Sequence, residues 1–78
     1  MDRATLKQLL REAENLLHRG EQNIAHQREV IGTLERGGHD ASSAKMFLRR
    51  LESQQARHVA DRNRLFKQLA DMLSEPPT

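Results

Sequence analysis

Apolar residues recur along the first half of the chain in alternating steps of four and three. The series runs Leu6, Leu10, Ala13, Leu17, Gly20, Ile24, Gln27, Ile31 and Leu34. A heptad seam of this kind holds one stripe of a helix against a partner helix. Leu9, Leu16 and Val30 widen the stripe on one side, giving the broader face of a globular bundle. The pattern breaks at Gly37-Gly38-His39-Asp40 and then resumes as Ala44, Leu48, Leu51, Gln55, His58, Arg62, Leu65, Leu69 and Met72. Phe47, Val59, Phe66 and Leu73 flank this second series.

The expected organisation is one all-α domain over residues 1–73, an antiparallel two-helix hairpin. Helix 1 spans about 3–36, the turn 37–40 and helix 2 about 41–73; a disordered tail over 74–78 follows, because Pro76 and Pro77 cannot continue a helix. Helix 1 can start at Asp2 or at Thr5, where Gln8 would complete a capping box. Gly37 serves as the left-handed C-terminal stop, and Asp40, in competition with Ser42, as the N-cap of helix 2. Folding about this turn pairs residues whose numbers sum to roughly 78. Gly20 then faces His58 and leaves room for its imidazole, Ile24 faces Gln55, and Leu17 faces Arg62.

Two helices alone cannot enclose a core. The uncovered apolar residues Leu9, Leu16, Val30, Phe47, Val59 and Phe66 therefore call for association, together with the seam residues Leu17, Ile24, Leu51 and Leu65. A two-fold homodimer, forming an antiparallel four-helix bundle, is the expected solution. Docking on another protein's helices is the competing one.

Polar residues interrupt the middle of the seam: Gly20, Gln27, Gln55, His58 and Arg62, with Glu21 the expected carboxylate for Arg62. Such residues fix register and oligomer state at some cost in stability. A neutral buried His58 would in addition weaken the assembly between about pH 7 and pH 5.

Composition adds little to this picture. The 78 residues include no Cys, Trp or Tyr and two Phe, with 31% charged residues and a net charge of +2. That excludes disulfides and Cys-based zinc sites and favours helices over strands. Residues 45–67 carry seven basic side chains against Glu52 and Asp61. Among them Arg50, Arg57 and Arg64 recur every seven residues, with Lys45 and Arg49 nearer the turn. Such a stripe is either the solvated face of an amphipathic helix or a surface that neutralises nucleic-acid phosphates. No aromatic residue interleaves it to stack on bases. Neither nucleophile-and-base groupings nor paired carboxylates on one face can be assembled. His58 and Asp61 have the spacing of two metal ligands but find no third. No catalytic residue, metal or cofactor is expected. The N-terminus lacks a signal-peptide pattern and no apolar run approaches a membrane span, so a cytoplasmic protein with no membrane partner is the expectation.

Three segments carry a resemblance: residues 20–29 (GEQNIAHQRE), 34–40 (LERGGHD) and 58–65 (HVADRNRL). Over roughly residues 10–70 the chain resembles short, uncharacterised hypothetical proteins of rhizobia and related alphaproteobacteria. The resemblance implies a bacterial, cytosolic helical hairpin and no particular activity. By architecture alone, with no shared motif, the hairpin also resembles Rop, the plasmid copy-number protein that dimerises into a four-helix bundle and binds paired RNA loops.

Overall fold

The structure, a computed structural model, describes residues 1–74. It contains two helices, α1 (Arg3–Arg36) and α2 (Ser42–Ser74), packed along their length as an all-α helical hairpin. Rising 1.5 Å per residue, the 34-residue α1 is about 51 Å long, and α2 doubles back along it. Of the expected tail over 74–78, only Ser74 lies within the described residues, and it is helical.

Asp2 is the N-cap of α1, whereas Ala41, not the expected Asp40, takes that position in α2 and Asp40 stands one residue before it. Asp2 Oδ1 accepts from the Thr5 backbone N–H at 2.7 Å, so the earlier of the two possible starts is used and Thr5 becomes a capped residue rather than the cap. Asp40 Oδ1 accepts from both the backbone N–H (2.9 Å) and the hydroxyl (2.6 Å) of Ser42, an Asx-turn that leads into α2. The first helical backbone bond there runs from Lys45 N–H to the Ala41 carbonyl. Hydrogen bonds from Thr5 and from Ser42, side chain first and backbone second, hold the two carboxyls below the ordinary aspartate range.

The stop between the helices differs from expectation by one residue. Gly37 has φ −82°, open to any residue, whereas Gly38 has φ +74°. Gly38 N–H donates to the Glu35 carbonyl at 3.1 Å and His39 N–H to the Leu34 carbonyl at 2.9 Å. These are the paired bonds of a Schellman motif, with Gly38 as its left-handed residue. Because His39 is tied back to Leu34, the chain descends beside the last turn of α1 before α2 begins, and Ala41 is buried on the way.

Gly20 lies against the end of the Gln55 side chain. Leu6 with Met72, Ala13 with Leu65, Leu17 with Arg62 and Ile31 with Leu48 border common grooves, so the helices keep the pairing of numbers summing to roughly 78. Both seams hold the expected residues. Leu6, Leu10, Ala13, Leu17 and Ile31 are buried and Gly20, Ile24, Gln27 and Leu34 half-buried; every expected seam position of α2 is half-buried. The core is therefore lopsided. Apart from Ala41, every buried residue belongs to α1, and α2 has none.

Candidate functional site

Two glutamines cross the seam in opposite directions. Gln27 Nε2 donates to the Ala44 carbonyl of α2 at 3.0 Å, and Gln55 Nε2 donates to the Leu17 carbonyl of α1 at 2.8 Å. Each uses the spare lone pair of a helical carbonyl, which ties side chain to backbone and fixes the axial position of the helices. A Cβ on Gly20 would collide with the Gln55 carboxamide, its Cδ only 2.7 Å away. Gly20 thus makes room for Gln55, not for His58. Gln55 Oε1 is, among the described residues, the buried side-chain polar atom left without a partner.

The other two polar seam residues are less enclosed than their spacing implied. His58 and Arg62 are half-buried. Arg62 Nε donates to the neighbouring Asn63 Oδ1 at 2.9 Å. It shares a groove with Glu14, Leu17, His18, Glu21 and Val59, but the expected ion pair with Glu21 is not formed. A half-exposed guanidinium keeps enough hydration to do without a carboxylate, so the local Asn63 suffices.

The flanking apolar residues divide between two sides of the rod. Leu9 and Leu16 line a groove with Ala13, His58, Asp61 and Leu65. Val59 lines a different one, with Glu14 and Glu21. Heptad spacing continues the first side to Val30, and the second, from Val59, to Phe66 and Leu73. Leu16 is 44% exposed, Phe47 50% and Phe66 59%, while Leu9, Val30 and Val59 are half-buried. The single continuous stripe expected from the sequence is in fact two. The remaining residues expected at an interface, Leu17, Ile24, Leu51 and Leu65, sit in the hairpin's own seam, with Leu17 buried and the others half-buried.

The basic residues of α2 sort by partner. Arg64 Nη2 is bonded to Asp61 Oδ1 at 3.0 Å, one turn back on its own helix. Lys45 reaches Glu35 at 3.3 Å, and Glu52 reaches Arg28 at 3.5 Å, both across to α1. Arg49, Arg50 and Arg57 form no ion pair among the described residues and line one shallow depression with Ser53 and Gln54. Of the expected stripe, Arg50 and Arg57 are brought together and Arg64 is drawn away. The i, i+3 spacing of Asp61 and Arg64 was the sequence signal for that.

Among the described residues no three His, Asp or Glu side chains converge as metal ligands, and neither helix is long and apolar enough to cross a membrane. Comparison with protein-family models, curated proteins and solved structures finds no match. The functional reading therefore rests on the geometry of this chain.

Proposed function

We propose that the chain is a non-catalytic helical-hairpin interaction module, acting in regulation or scaffolding as a homodimer that forms an antiparallel four-helix bundle. The observation that carries this is exposed apolar surface: Leu16 is 44% exposed, Phe47 50% and Phe66 59%. Large apolar side chains left in water along a rod mark a surface for association.

The lopsided core supports the same reading, because a second layer would cover the half-exposed seam of α2. Of the two apolar sides, the one carrying Leu9, Leu16 and Val30 suits a bundle better, and Phe47, two heptads before Asp61, falls on the same side. It reaches from one end of the rod to the other. Val59, Phe66 and Leu73 crowd one end.

Charge placed in the chosen side tests the reading. Leu16→Glu and Phe47→Glu should each drive the assembly to monomer in sedimentation velocity, whereas Phe66→Glu should leave its mass unchanged. Equal dissociation by Phe66→Glu would contradict the choice of side. A monomeric parent chain would contradict the reading itself.

A further inference from the structure

We infer that the outer face of α2 carries a binding site for the backbone phosphates of duplex nucleic acid, formed by Arg49, Arg50 and Arg57 with Ser53 and Gln54. The five side chains line one depression that spans just over two helical turns. Arg49, Ser53 and Arg57 follow one another at i, i+4 and i+8; Arg50 and Gln54 form the adjoining ridge, and both converge on Arg57. Ser53 lies on the side of α2 turned away from the α1 seam.

Charge bookkeeping separates this cluster from an ordinary solvated helix face. Glu52 is the sole carboxylate between Asp40 and Asp61, and its ion pair with Arg28 turns it toward α1. Lys45 is engaged by Glu35. Three guanidiniums are left within two turns, with a hydroxyl and a carboxamide among them and no acid lining the depression. Guanidinium forks match phosphate oxygens two at a time, and the Ser53 hydroxyl and Gln54 amide supply further donors of the kind that hold backbone phosphates. A rigid helix fixes the spacing beforehand, so little ordering is needed on contact. The nearest aromatic residue, Phe47, does not line the depression, and none of its lining groups is placed to read bases. That assigns it backbone contacts without sequence preference.

Fluorescence anisotropy with labelled 12-base-pair DNA and RNA duplexes, titrated against salt, tests the inference; unlabelled tripolyphosphate serves as competitor. Three phosphate contacts per site give a slope of log K on log salt near −2.7 for DNA, or about 40-fold weaker binding at 200 mM than at 50 mM salt. Each of R49Q, R50Q and R57Q should reduce the slope by about 0.9, and the triple variant should abolish the salt dependence. R64Q should bind like the parent, because Arg64 is held by Asp61. Circular dichroism should be unchanged throughout, since the three arginines form no ion pair. The inference is overturned if neither duplex binds at 50 mM salt, if only tripolyphosphate is captured, or if R64Q weakens binding as much as R50Q. Each of these readings is independent of the oligomeric mass on which the homodimer reading depends.

Discussion

The Gln55 carboxamide occupies the volume that a side chain at Gly20 would fill, and from there donates to the Leu17 carbonyl. A glycine inside a helix costs about 1 kcal/mol relative to alanine. Here that cost is set against a hydrogen bond worth roughly 0.5–1.5 kcal/mol. The two residues should therefore be coupled. Gly20→Ala is expected to change stability little on its own, since the helix gains what the displaced Gln55 loses. In a Gln55→Ala background the same substitution should stabilise by about 1 kcal/mol. Urea unfolding of the four proteins of this cycle checks it, and strict additivity would refute the coupling.

Gly32 offers the contrasting case. A Cβ there would meet only the Arg36 guanidinium, Nη1 at 3.1 Å, the mobile end of a long side chain. Gly32→Ala should raise stability by up to about 1 kcal/mol, visible as a higher thermal midpoint with unchanged helix content.

The turn separates its two glycines in the same way. Gly38→Ala places a Cβ in the left-handed region and should cost about 1 kcal/mol or more. Gly37→Ala, at φ −82°, meets no such penalty; His39 Cδ2, 2.9 Å from the added Cβ, has only to swing aside. Denaturant midpoints of the two variants distinguish Gly38 from Gly37 as the stop. Equal losses would count against the Schellman geometry.

The seams were legible because a seven-residue repeat of apolar residues fixes which stripe of each helix faces inward whatever the partner does. Leu6 and Leu17, and equally Leu48 and Leu65, could be placed from spacing alone. The neighbour of Gly20 was not legible in the same way. A glycine makes room for whichever long side chain bends over it, and the Gln55 carboxamide, on its way to the Leu17 carbonyl, takes the space expected for His58. The turn residue was hidden too, because Gly37 and Gly38 look alike in a sequence and only Gly38 has a positive φ. The side of the rod on which a flanking residue falls was equally hidden. Leu16 and Val59 each border a seam, but antiparallel packing sends them to opposite sides. Arg62 was assigned a carboxylate on the premise of full burial, and half-burial removed the need.

The aspartates at the two helix starts impose a pH dependence. Both Asp2 and Asp40 have folded-state pKa values below the ordinary one. Their contribution to stability is therefore complete above the unfolded value near 3.9 and is lost as pH falls through the lower folded value. The parent's thermal midpoint should fall as pH drops below about 4. A variant with Asp2→Asn and Asp40→Asn retains the hydrogen-bonding geometry without the titration, so its fall should be shallower. Parallel curves for the two proteins would show that the two aspartates are not responsible.

The most direct test of the central proposal is the mass of the purified chain by light scattering across a dilution series. A homodimeric bundle predicts twice the 9.0 kDa chain mass, reduced to the single-chain mass by Leu16→Glu. A parent protein that holds 9.0 kDa at every concentration while remaining fully helical would contradict it.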